Sequence, residues 1–163
     1  MTVLRGCIRQ RLLSITRTRY LFNGRPHEIG HGDVELRFEA GPSVVLSLAP
    51  DGESVTAGPG PLKVPPAFEL HEGAHCAWET IHVSDAEPFN RLVGAVLSSV
   101  GAIVDRWKEG GHEALSGWAL RFGDQLLTFA NQGDESRLAL DLPPADSRLM
   151  TFIEDVGGAR GAG

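Results

Sequence analysis

His71-Glu72-Gly73-Ala74-His75 is the string in this sequence whose residue types and spacing come closest to a reaction centre. Two histidines four positions apart share one face of a helix, and imidazoles so placed can hold one metal ion. The same pattern recurs as His27-Glu28-Ile29-Gly30-His31. Both strings stand in a poor setting for a helix. Gly73 separates the histidines of the first, and Pro65-Pro66 leaves only a short run before it. Pro26, Gly30 and Gly32 crowd the second.

His-Glu-x-x-His resembles the signature of the zincin metalloproteases. The resemblance implies His71 and His75 as zinc ligands, Glu72 as the base acting on the metal's water, and Glu79 or His82 as a third ligand. Zincins usually carry a bulky apolar residue where Gly73 stands, and here the pattern departs from theirs. The leading expectation is therefore no catalytic residue, no metal and no cofactor, with a zinc-dependent hydrolase as the alternative. Cys76 follows His75, but neighbours on a strand point to opposite faces, so Cys76 is read as a small buried thiol rather than half of a Cys-His nucleophile pair. The Gly58-Pro59-Gly60-Pro61 run alternates its glycines with residues that lack an amide donor, so it cannot cradle a phosphate. No Gly-x-Ser-x-Gly nucleophile elbow occurs.

The elements that would position any site come from 163 residues, 42% of them hydrophobic, enough for a real core. No apolar run reaches the roughly 20 residues needed to span a bilayer. The start of the chain lacks a signal-like apolar stretch, and two cysteines cannot build a disulfide framework. The expectation is a cytoplasmic protein with reduced thiols and no membrane association. The net charge of −6 hides an asymmetry. Arg5, Arg9, Arg11, Arg17, Arg19 and Arg25 fall in the first 25 residues without an acidic residue among them, and the remainder holds nine basic against 21 acidic side chains. An acidic total argues against nucleic acid as the partner. The basic segment keeps a nucleic-acid binder as a second alternative, and it makes Arg9, Arg11, Arg17 and Arg19 candidates for a partner surface.

Repeated features run along the chain in one order. Leu4-Arg5-Gly6-Cys7-Ile8 matches Leu92-Val93-Gly94-Ala95-Val96 at an offset of 88, which also relates Ile15 to Ile103. His27-Glu28 matches His112-Glu113. Val34-Glu35-Leu36-Arg37-Phe38 matches Trp118-Ala119-Leu120-Arg121-Phe122 at an offset of 84. Each half closes on an acidic turn, Asp51-Gly52-Glu53-Ser54 or Gly133-Asp134-Glu135-Ser136. The reading is two tandem related units, 1–60 and 89–142, a connector at 61–88 and a C-terminal segment at 143–157, all in one domain spanning 1–157. The glycine-rich 158–163 is expected to be a flexible tail.

Within each unit, large apolar residues at every second position, Val34, Leu36 and Phe38 or Trp118, Leu120 and Phe122, predict half-buried strands, each followed by a turn and a second apolar strand. Over 86–108 the spacing also fits a helix, but the glycines and β-branched residues favour a bent strand after a short helical turn. Trp118 falls on the expected core face. Trp78, in the connector, is read as a plug between the halves, or else as an exposed anchor for a partner. The fold class is α+β, mainly β: two hairpin-based units packed together.

The Leu-x-Gly-x-apolar start, the Leu-x-Phe hairpin and the acidic turn resemble small bacterial β-rich domains of the kind encoded beside polymorphic toxins as immunity proteins. That resemblance implies a non-enzymatic, protein-binding module whose partner is a toxin. The acidic net charge suits a basic partner.

Overall fold

The computed structural model describes residues 2–133, 135–143 and 149–155. The chain is mainly β, as the alternation predicts. A short helix, α1 (Thr2–Gly6), precedes strands β1 (Leu12–Phe22), β2 (Arg25–Phe38), β3 (Val44–Leu48) and β4 (Val55–Pro59). The connector supplies β5 (Phe68–Glu69) and β6 (His75–His82). After two 3-10 turns at Val83–Asp85 and Phe89–Leu92 come β7 (Leu97–Trp107), β8 (Glu113–Phe122), β9 (Gln125–Asn131), β10 (Ser136–Ala139) and β11 (Leu149–Asp155). Residues 97–107 are thus a strand entered by a helical turn, not part of a long helix. The described part of the C-terminal segment includes β11, and the expected flexible tail at 158–163 lies outside the described residues.

Two antiparallel sheets result. One runs β4-β3-β2-β1-β6-β5, the other β10-β9-β8-β7-β11. Each is a four-strand meander whose first strand is extended by a later strand, β6 on β1 and β11 on β7. The registers agree closely. Leu12 faces Phe38, a bulge follows, and Ile15 faces Leu36; Leu97 faces Phe122, a bulge follows, and Val100 faces Leu120. The edge strands are equivalent too: β10 lies against β2, and β4 against β8.

The two first strands cross where they begin. Leu12 N donates to Ala95 O at 2.9 Å while Leu97 N donates to Gln10 O at 3.0 Å. Gly94 N donates to Leu12 O and Arg9 N to Leu97 O, both at 2.8 Å. Each pair of bonds changes places when residue numbers are shifted by 85, and an isolated antiparallel bridge, Arg11 to Val96, sits between them. The offset of 88 is therefore corrected to 85 here. Ile15 corresponds to Val100, while Ile103 belongs to a small separate cluster with Ala119 and Ala130.

The core lies between the sheets. Leu12, Ile15, Leu36, Val44 and Leu46 from one meet Leu97, Val100, Trp118, Leu120, Leu127 and Phe129 from the other, with Leu4 and Leu92 closing one end. Each large side chain removed from water there contributes about 1.5–3 kcal/mol. Cys7 and Cys76 are both buried free thiols. Pro59 ends β4 at a sheet edge, where a missing amide donor costs nothing to the ladder. Among the described residues, no helix is long and apolar enough to cross a membrane.

Candidate functional site

Pairing of β1 with β6 is regular from Thr16–His82 to Phe22–Cys76. Strand alternation then divides the residues between two faces. Ile15 and Arg17 turn toward the core. Thr16, Thr18, Tyr20 and Phe22 turn away from it, beside His82, Thr80, Trp78 and Cys76. Beyond β6, Phe68 of β5 faces Cys76, so it joins the same outer face.

Trp78 is the centre of this face. Its ring centroid lies 5.3 Å from that of Tyr20, and Tyr20 meets His27 edge-on at 6.1 Å. Gly32 on β2 makes room for the indole: a Cβ there would run into the Thr18 side chain and reach Trp78 Cζ3 at 3.0 Å. The Tyr20 hydroxyl donates to the fully buried Cys76 Sγ at 2.8 Å, and this bond, with partial burial, holds the phenol above its usual pKa. Thr16 Oγ1 and His82 Nδ1 lie 3.1 Å apart. Around this fixed centre stand apolar side chains in water: Phe22 is 40% exposed, and Phe68 and Leu70 are each 49% exposed. An aromatic pair held rigid from below and rimmed by exposed apolar groups offers contact area at little entropic cost.

Trp78 therefore does not plug the gap between the halves. It sits on the sheet face away from the core, because β6 adds to the first sheet with Cys76, Trp78, Thr80 and His82 outward.

The metal alternative finds no helix to stand on. His71–Gly73 is one 3-10 turn, Gly73 lies at φ +77, and the chain extends from Ala74 into β6. His75 and Glu79 fall on the opposite face of β6 from His82. Glu79 accepts from Arg19 Nε at 2.8 Å, and His71 is exposed on its turn. The Glu72 side chain, and those of Glu28 and His31, lie outside the described residues. Among the described residues, no three His, Cys, Asp or Glu side chains are grouped to hold a metal ion.

The arginines do not form one basic surface. Arg9 is exposed at the turn before β1, and Arg11 Nη1 donates to Gly94 O at 3.0 Å. Arg19 is paired with Glu79. Arg17, read from the sequence as a surface candidate, is instead 6% exposed. It spans the sheets, Nη2 donating to Ser136 O at 2.5 Å and to Ser136 Oγ at 2.9 Å, while Ser136 Oγ donates to Gly32 O at 2.8 Å. Burial pushes its pKa down to about 10, still cationic at neutral pH.

Tyr20, Phe22, Gly32, Phe68 and Leu70 were not among the residues singled out in the sequence. Tyr20 alone carried a signal: it is the only tyrosine, and it lies at period two from Thr16 and Thr18. Comparison with known protein families, with curated proteins and with solved structures finds no match to this chain.

Proposed function

We propose that this protein is a non-enzymatic protein-binding module whose docking surface is the outer face of the first sheet around Trp78. The observation that carries the reading is the Trp78–Tyr20 pair, backed by Gly32 and Cys76 and surrounded by exposed Phe22, Phe68 and Leu70. Clustered exposed apolar and aromatic residues are the usual anchors of protein interfaces, and β5 leaves a two-residue sheet edge beside them. The resemblance to immunity proteins supplies the class of partner, a toxin, and the net charge of −6 supports a basic one. The two halves are read as copies of one unit. Matching registers, edge contacts and reciprocal crossing bonds support that reading.

Co-expression with the product of the gene immediately upstream tests the function. Wild type is expected to co-purify with it as a stable complex. Trp78→Ala and Phe68→Ser are expected to lose it while remaining folded. A complex indifferent to both substitutions rejects this face as the docking surface.

A further inference from the structure

Strand β6 is bonded along its whole length on one side and only at its start on the other. Asn23 N donates to His75 O at 2.7 Å, one step beyond the Phe22–Cys76 pair. Bonded pairs recur every second residue in an antiparallel ladder. Ala77, Glu79 and Ile81 therefore direct their N–H and C=O groups to β1, and Cys76, Trp78, Thr80 and His82 direct theirs to the opposite edge. There β5 meets Cys76 through Phe68, and Leu70 N donates to Ala74 O at 2.8 Å in the same register. Carried further, β5 would set Pro66 against Trp78, and proline has no N–H for the Trp78 carbonyl. The His82 carbonyl is taken by the 3-10 turn it opens at Val83–Asp85. The N–H groups of Trp78, Thr80 and His82 and the C=O groups of Trp78 and Thr80 find no backbone partner among the described residues.

This edge is also unguarded. Sheet edges are commonly blunted by a bulge, a proline or an unpaired charge. β6 pairs with β1 without a register shift and holds neither proline nor lysine. Its one carboxylate, Glu79, is held by Arg19. The other end of the sheet is covered instead, β4 lying against β8. Thr80 and His82 stand exposed to water.

An extended backbone fits such an edge, and the same stretch of a second copy fits it in one antiparallel register. With Thr80 opposite Thr80, each Thr80 N donates to the other copy's Thr80 O, and each His82 N to its Trp78 O. The side chains agree with that register: Trp78 falls beside His82, Thr80 beside Thr80 and Ile81 beside Glu79, so no like charges meet. A pairing centred on Glu79 makes as many bonds but sets two carboxylates face to face. β5 at one end and the 3-10 turn at the other confine the contact to 78–82.

We propose that the chain forms a symmetric dimer in which residues 78–82 of β6 pair with the same residues of a second copy, joining the two first sheets edge to edge. The proposal does not rest on toxin binding. It uses the backbone edge of β6, and the outer faces around Trp78 come to lie side by side.

Sedimentation velocity of the full chain, from about 1 μM to about 1 mM, tests it. A monomer is expected at the low end and a reversible dimer at the high end. Thr80→Lys and Thr80→Glu, both at an exposed position, are each expected to weaken the dimer about fivefold to tenfold by placing like charges on the twofold axis. An equimolar mixture of the two variants is expected to restore it as a heterodimer. Amide exchange read by NMR supplies the register. The Thr80 and His82 amides are expected to slow as the dimer forms while Trp78 stays fast, and Ala77, Glu79 and Ile81 to be slow throughout. A monomer at every concentration overturns the proposal. So does a dimer that both single substitutions leave intact, or one in which the Thr80 and His82 amides still exchange fast.

Discussion

Arg9 and Gly94 occupy equivalent points of the two halves and share one backbone conformation, φ +74 and φ +82. Each donates its amide to the leucine that opens the other half's first strand. The second half meets the left-handed requirement with glycine; the first meets it with arginine, which has a Cβ to strain. Arg9→Gly is therefore expected to raise stability by a few tenths to about 1 kcal/mol, and Gly94→Ala to lower it by about 1 kcal/mol. Nothing lies within 4 Å of a Cβ at Gly94, so its cost is purely conformational. Urea denaturation of the two variants checks both signs.

Gly32 lies under Trp78 and beside Thr18. Gly32→Ala forces the Thr18 side chain and the indole to move and is expected to cost about 1–2 kcal/mol. Adding Thr18→Ala should recover part of that loss. A double-mutant cycle in urea denaturation measures the coupling; simple additivity would mean that Gly32 and Thr18 do not share this packing.

Arg17 joins the sheets through Ser136, but its Nε has no hydrogen-bond partner among the described residues and its charge is held out of water. Volume is expected to matter more than charge. Arg17→Met should stay within about 1 kcal/mol of wild type, whereas Arg17→Ala, which leaves a hole between the sheets, should lose about 2–4 kcal/mol. Equal damage from both, in chemical denaturation, would show that the guanidinium itself holds the sheets.

Asp33 lines a cleft with Ser47, Thr56 and Lys63. Partial burial pushes its carboxyl above the usual range, and a hydrogen bond from Ser47 opposes that only in part. A raised folded-state pKa favours the fold while the group is protonated. That contribution is complete below the unfolded value and is lost as pH rises through the folded one. Wild type should therefore lose stability relative to Asp33→Asn as pH rises from the ordinary carboxylate range through the raised folded-state value, and Asp33→Asn should be the more stable at neutral pH. Unfolding free energies across that window check the sign.

The sequence showed its local grammar and hid its partners. Period-two runs over 33–38 and 118–122 announced strands, and the glycines of 86–108 announced a bent strand rather than a helix. Which strand pairs with which depends on contacts far apart in the chain, so the addition of β6 to β1, which turns Trp78 outward, left no local signal. Arg17 was misplaced because charge reads as exposure, and only the bonds to Ser136 make its burial tolerable. The Leu-x-Gly match at 88 was out of step by three residues, because apolar residues in a short helical turn align by chance as well as by geometry.

The central claim, that the face around Trp78 docks a protein, is tested most directly by hydrogen–deuterium exchange. The chain is compared free and bound to the partner captured from its native host. The account predicts new protection over residues 16–22 and 68–82 that Trp78→Ala abolishes. A bound partner that protects other segments and leaves these strands unchanged would contradict it.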